Sequence, residues 1–167
     1  MQDRKLSEHF LLSEFTASDT AKANKISNDP TPVHLKTLTH TAQYLCEPMR
    51  KLFNEKYGNC SIHITSGYRS EALNRKVGGV KNSQHSQGEA IDFKVKKNGK
   101  FMPYTQVYND IKRWVKEGKL SVDQCIEEHV GGITWVHCSH SAWGASRDRK
   151  HFFKYDGRNY VLDVAIK

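Results

Sequence analysis

Two residues of metal-binding type stand seven positions apart in the segment SQHSQGEAID, residues 83–92. They are His85 and Asp92, and most residues between them are small or polar. A neutral imidazole and a carboxylate are ligands that catalytic divalent metals use, and zinc accepts both. A third candidate, His137, ends the downstream segment ITWVH. Three protein ligands would leave a fourth position for water, as a hydrolytic zinc site requires.

Alternating apolar and polar residues predict strands that could hold these ligands. The predicted strands cover residues 61–66, 90–95, 124–128, 134–139, 149–155 and 160–164. Asp92 lies within the second strand and His85 just before it, and a turn at Gln87-Gly88 lets the chain fold back between them. A site at strand ends and adjoining loops would rest on a rigid sheet.

Helical periodicity is strongest over residues 32–57, where apolar side chains recur three and four positions apart. Pro48 interrupts this run and predicts a kink. Further helices are predicted at 70–77 and 105–117, and short ones near 11–15 and 18–24. Because helices and strands mix without regular alternation, we expect an α+β fold in which helices cover one side of a small antiparallel sheet that carries the zinc site. Residues 1–167 suffice for one domain.

The composition, 37% hydrophobic and 26% charged, is typical of a soluble globular protein. The net charge of +8 indicates either a solvated basic surface or attraction to a polyanion, such as nucleic acid or an anionic wall polymer. Nucleic acid is disfavoured because the sequence offers no recognisable reading helix or aromatic platform. The short basic clusters at 94–97 and 147–150 are explained most simply as solvated turns, and help in binding an anionic wall is the sharper alternative.

The cysteines, Cys46, Cys60, Cys125 and Cys138, form no CxxC pair. Each has apolar neighbours, so we favour free buried thiols and a reducing compartment over two disulfides. Residues 1–8 lack the apolar core of a signal peptide, and no run reaches the length of a membrane span. We therefore expect the protein to stay in the cytoplasm as synthesised and to meet a cell wall only if it is released or delivered by other proteins.

A series of motifs runs through most of the chain in a fixed order: Ser66-Gly67-Tyr68-Arg69-Ser70, Leu73-Asn74, Val77-Gly78-Gly79, Ser83-Gln84-His85, Gly88-Glu89-Ala90-Ile91-Asp92-Phe93 and Trp135-Val136-His137. With them the chain resembles the zinc peptidases of the D-alanyl-D-alanine carboxypeptidase type, in the phage and bacterial branch that cuts peptidoglycan cross-links. These enzymes share a structural group with lysostaphin-type enzymes and the hedgehog signalling domain. The resemblance covers about residues 6–140.

The resemblance implies that His85, Asp92 and His137 bind one zinc ion. A histidine after Trp135 and Val136 could also be a packed strand residue, and in that case His140 is the substitute ligand. Hydrolysis additionally needs a general base.

Many relatives carry the catalytic acid three residues before the last histidine, where this chain has Thr134. In the branch that the chain most resembles, the acid lies further upstream, in a segment similar to 123–128. Glu128 fits that pattern better than Glu127, and alternation along a strand would put only one of them on the site face.

Arg69 resembles the family's electrophilic arginine, whose planar guanidinium can bind a carbonyl or carboxylate oxygen with two hydrogen bonds. The alternative is an arginine in a surface salt bridge. Ser83 resembles a substrate-binding serine, and Tyr68 and Gln84 would line the cleft or orient the ligands.

The resemblance therefore implies a zinc-dependent peptidase that acts on peptidoglycan stem peptides, as a monomer, at a bond next to a D-residue. It leaves carboxypeptidase and endopeptidase activity open. The rival hypothesis is a non-catalytic, zinc-stabilised domain that binds a wall peptide or a protein partner. Thr134 favours that rival because it replaces an acid.

Overall fold

The computed structural model describes residues 3–167, so Met1 and Gln2 of the predicted domain lie outside the described residues. The helices are α1 Leu12–Thr16, α2 Asp19–Ala23, α3 Pro32–Thr41, α4 Glu47–Tyr57, α5 Glu71–Lys76, α6 Gln84–Gln87 and α7 Tyr104–Lys116. The strands are β1 Cys60–Ser66, β2 Ala90–Lys97, β3 Lys100–Phe101, β4 Gln124–Val130, β5 Ile133–Ser139, β6 His151–Tyr155 and β7 Tyr160–Ala165. A 3₁₀ turn, Ala145–Arg147, precedes β6.

The long helix predicted over residues 32–57 forms as α3 and α4, joined by a π-helical turn at Ala42–Cys46. This irregularity falls immediately before Pro48, because proline has no N–H to donate and its ring crowds the carbonyl four residues back. Thr31 caps the start of α3, where its hydroxyl accepts a hydrogen bond from the His34 amide at 3.2 Å.

The strands form one sheet in the order β1-β2-β5-β4-β6-β7, and β3 pairs with β2. The predicted α+β class is therefore confirmed, but the expectation of an antiparallel sheet is wrong at one place, where β6 pairs with β4 in parallel. The chain leaves β5, crosses to the far side of β4 and returns in the direction of β4. Ser139 at the end of β5 and His151 at the start of β6 both pair with Gln124, so residues 140–150 make this connection around one end of β4.

The two faces of the sheet differ in chemistry. On β2, the buried side chains of Ile91, Phe93 and Val95 belong to the apolar core, which they share with residues of α3, α4 and α7. Asp92, Lys94 and Lys96 alternate with them and therefore point to the opposite face. The helices thus cover one face, as predicted, and leave the other face available for a site.

The loop after β1 is fixed by two segments from the start of the chain. Tyr68 donates its amide to the Phe15 carbonyl at 2.7 Å, and the Asn28 amide group donates to the Tyr68 carbonyl at 2.9 Å. The fit is so close at Gly67 that an added Cβ would lie 2.6 Å from the Phe15 carbonyl oxygen. Only glycine can therefore occupy this position without moving α1.

The four cysteines are free and buried, as the sequence predicts. Cys125 and Cys138 lie directly opposite each other in the β4–β5 pair. Over residues 3–167, no helix is both long enough and apolar enough to cross a membrane.

Candidate metal centre and cleft

Strand register brings the two downstream ligand candidates together. Asp92 on β2 pairs directly with His137 on β5, which pairs with Ile126 on β4, which in turn pairs with Phe153 on β6. Residues that pair directly across strands project from the same face of a sheet. This row therefore lies on the face opposite the helices, with Asp92 and His137 as neighbours.

The third candidate, His85, completes a compact group. His137 Nδ1 lies 2.9 Å from Asp92 Oδ1, and His85 Nε2 lies 3.3 Å from both of these atoms. Tetrahedral zinc with bonds of 2.0–2.1 Å spaces its ligand atoms about 3.3 Å apart. All three side chains are buried, and within the described part of the chain they are the one group of this kind with metal-ligand spacing. The spacing and the donor types fit one zinc ion.

His85 is positioned by the one-turn helix α6, which the sequence did not predict. The Ser83 hydroxyl caps the helix by accepting the His85 amide at 3.3 Å, and Gly88, with φ of +78°, ends it. The His85 ring donates from Nδ1 to the Gly67 carbonyl at 2.7 Å. Because Nδ1 carries the proton there, Nε2 keeps its lone pair for a metal.

Both oxygen atoms of the Asp92 carboxylate have partners. Its Oδ1 faces the two histidines, and its Oδ2 accepts a hydrogen bond from Arg69 Nη2 at 2.8 Å. Arg69 is also held by Ser66, whose hydroxyl accepts from Nε at 3.0 Å. Burial alone would raise the pKa of Asp92, but the facing imidazoles of His85 and His137 hold that pKa well below its ordinary range. Asp92 is therefore ionised, as a metal ligand must be.

The two glutamates at the end of β4 point to opposite faces. Glu128 lines the cleft above the metal candidates and is 8% exposed. Burial and the charge of Asp92 raise the pKa of Glu128 to about 7. Glu127 turns to the helix-covered face, where it lies 3.7 Å from Lys154 Nζ. Thr134 is paired with His129 near the turn between β4 and β5 and has no acidic group to offer.

The other predicted site residues divide into two groups. Ser83 and Gln84 line the cleft, and Gln84 donates to Asp123 Oδ2 at 3.0 Å. Tyr68 does not join them: its hydroxyl lies 3.0 Å from His34 Nδ1, behind the loop, and it is not among the cleft-lining residues. His140, the substitute ligand, stacks on His40 with 2.9 Å between His140 Nε2 and His40 Nδ1, outside the metal group.

The cleft has a volume of about 680 Å³ and two unlike walls. The segment from Gly78 to His85 forms a largely polar wall, and Ile126, Phe153 and Tyr160 form an apolar one. Sequence reasoning missed the second wall, together with Arg149, which pairs with Asp123 through Nη2 and Oδ2 at 2.6 Å. The sequence does predict a pair of strands at 149–155 and 160–164, which carry Phe153 and Tyr160. It does not show which other strand this pair joins, so their place beside the cleft could not be predicted.

A family model described as Peptidase M15 matches residues 8–130, well over half of the chain. The matched part includes Arg69, His85, Asp92 and Glu128 and ends before β5, on which His137 lies. No curated protein matches the chain at a significant level.

Proposed function

Because the chain belongs to the M15 peptidases, zinc enzymes of the D-alanyl-D-alanine carboxypeptidase type, we propose that it hydrolyses peptidoglycan stem peptides or cross-links next to a D-amino acid. His85, Asp92 and His137 would hold one zinc ion. The observation that carries this proposal is the convergence of the three buried ligand atoms at the spacing of a tetrahedral zinc site. The sequence motifs support membership of the hedgehog and lysostaphin structural group.

When bound, zinc supplies a Lewis acid and lowers the pKa of water to about 7. The protein supplies the remaining conditions for hydrolysis. Two neutral imidazoles and one carboxylate would leave a bound ion with a net positive charge, and the hydrogen bonds to Gly67 and Arg69 fix the orientation of His85 and Asp92. Ordered ligands of this kind need no rearrangement when substrate binds.

Glu128 is the proposed general base. Its carboxylate lies in the cleft, and its raised pKa of about 7 lets it both accept a proton and release it near neutral pH. Glu128 would take a proton from the attacking water and deliver it to the leaving amine nitrogen. Glu127 is not suited to this step because it faces Lys154 on the other side of the sheet.

Arg69 is the proposed electrophilic residue, and it has a second role. Two of its nitrogens bind Ser66 and Asp92. The remaining guanidinium donors border the cleft, where they can bind the carbonyl oxygen of the substrate as negative charge develops on it. Ser83 and Gln84 would bind the peptide along the polar wall.

The rival function is a zinc-stabilised domain that binds wall peptide without cleaving it. Thr134 is the observation in its favour, because many relatives have an acid at this position. The presence of Glu128 in the cleft favours the enzyme instead, since a binding domain has no need of a buried carboxylate with a raised pKa.

Digestion of purified peptidoglycan tests the proposal. The zinc-loaded protein should release new amino groups, and mass spectrometry of the products should locate the cut bond and separate carboxypeptidase from endopeptidase activity. A chelator and His137→Ala should each abolish the release. His63→Ala, which changes an exposed β1 histidine outside the metal group, should not. Zinc-dependent binding of peptidoglycan without cleavage would favour the rival.

A further inference from the structure

The hairpin formed by β6 and β7 lies beyond residues 8–130, which match the family, yet it completes the cleft. Phe153 on β6 and Tyr160 on β7 line the cleft together with the segment from Gly78 to His85. These residues are not part of the motifs that carry the metal ligands. Their role must therefore be deduced from their position.

Strand register places Tyr160 in the row of the proposed base. Glu128 on β4 pairs with Tyr155 on β6, and Tyr155 pairs with Tyr160 on β7. All three side chains project from the same face. Neighbouring strands are about 4.8 Å apart, so the Cα atoms of Glu128 and Tyr160 are about 10 Å apart. The Tyr155 side chain projects between them, so a peptide that contacts both Glu128 and Tyr160 would pass over Tyr155.

The Tyr160 ring is held in place although it is exposed. It stacks on the Tyr155 ring with 4.2 Å between the ring centroids and 18° between the planes. The residue is 60% exposed and lines the cleft. Partial burial and the carboxylate of Glu128 raise the pKa of the Tyr160 phenol, so the hydroxyl remains a hydrogen-bond donor.

We propose that Tyr160 is a substrate-binding residue of the peptidase, with its hydroxyl donating a hydrogen bond to the peptide backbone beside Glu128 and its ring forming the apolar wall with Phe153. This inference rests on the proposed function. A contact of this kind is present before and during hydrolysis. It therefore lowers KM and has little effect on kcat.

Steady-state kinetics on a soluble stem peptide test the proposal. Tyr160→Phe should raise KM about 3- to 10-fold, the value of one hydrogen bond, with kcat nearly unchanged. Tyr160→Ala should raise KM further because the ring is also lost. Tyr44→Phe and Tyr44→Ala are matched controls, since Tyr44 is 61% exposed, stacks on His40 and lies away from the cleft.

Equilibrium binding separates failure of this inference from failure of the proposed function. The peptide should bind Glu128→Gln protein more tightly than the double variant that also carries Tyr160→Ala, whether or not the wild type cleaves it. Equal affinities, or unchanged KM in both Tyr160 variants of an active enzyme, would overturn the role of Tyr160. A wild type that binds peptide through Tyr160 but never cleaves it would refute the enzyme and leave this contact standing.

Discussion

Arg69 holds Asp92 from the side that faces away from the two histidines, because Nη2 donates to Oδ2 at 2.8 Å while Oδ1 lies 2.9 Å from His137 Nδ1. One carboxylate thus joins the arginine to the metal group. A change at Arg69 should therefore affect both metal binding and the reaction.

Arg69→Ala should weaken zinc binding about 10- to 100-fold, as loss of an outer partner of a metal ligand does. With zinc at saturation, kcat should still fall about 100-fold or more, because a donor to the developing oxyanion is lost. Zinc competition with a coloured chelator and kinetics at high zinc separate the two effects. Arg75→Ala is the control, since Arg75 is exposed and pairs with Glu71 on its own helix. Unchanged zinc affinity in Arg69→Ala would contradict the outer-partner role.

Exchange of the two neighbouring glutamates tests the assignment of the base. Glu128→Gln should lower kcat about 100- to 10,000-fold and leave one zinc bound per chain, because only proton transfer is removed. Glu127→Gln should change kcat by less than about threefold, since Glu127 faces Lys154 on the opposite side of the sheet. Metal analysis of both variants checks that the site is loaded. Equal losses in the two variants would contradict the assignment.

The stability of the metal-free protein should report the raised pKa of Glu128. The pKa rises from the ordinary 4.5 to about 7 on folding, so the folded state binds the proton more tightly. Relative to Glu128→Gln, the wild type should keep its full stability below about pH 4.5 and lose about 3 kcal/mol as the pH rises through 7. Urea unfolding of both proteins from pH 4 to pH 8 measures this difference. A pH-independent difference would contradict a raised pKa.

Gly67 joins the packing of α1 to the orientation of His85. Gly67→Ala should lower the free energy of unfolding by about 1–3 kcal/mol, because its Cβ would overlap the Phe15 carbonyl. Zinc affinity should fall as well, since a shift of the Gly67 backbone would move the Gly67 carbonyl, which accepts the Nδ1 proton of His85. Gly99→Ala is the control: its φ of +76° also strains alanine, but its Cβ meets nothing within 4 Å. That variant should lose stability and bind zinc normally.

The cysteine thiols should react slowly in the folded protein. Burial raises the pKa of the Cys46 and Cys125 thiols, so little reactive thiolate forms. An aromatic disulfide reagent should react slowly with the native protein and quickly with all four thiols in guanidinium chloride. Fewer than four thiols in the unfolded, unreduced protein would reveal a disulfide and contradict this prediction.

Local structure can be predicted from the sequence, but the pairing of strands that lie far apart in the chain cannot. Asp92 and His137 lie in strands whose alternation is clear, so their common face could be expected. The partner of β6 could not, because the pattern over residues 149–155 marks a strand without saying which neighbour it joins. The apolar wall of the cleft depends on that choice, so Phe153 and Tyr160 were missed.

Neighbouring residues of one motif also proved to have different surroundings. Arg69 faces the cleft, whereas Tyr68 turns back to His34 on α3. The motif Ser66-Gly67-Tyr68-Arg69-Ser70 is continuous in sequence, but its direction is set by contacts with Phe15 and Asn28, far away in the chain. No local pattern carries that information.

The turn between β4 and β5 has a consequence for chemistry. Gly131 and Gly132 form a two-residue connection, both with positive φ, which fits the twist of a tight hairpin. The length of this connection fixes the register in which Glu128 faces Trp135. A slip of one residue would reverse the faces of β4 and present Glu127 in place of Glu128. The length of the Gly131-Gly132 turn therefore determines which of the two glutamates faces the cleft and can carry the proton.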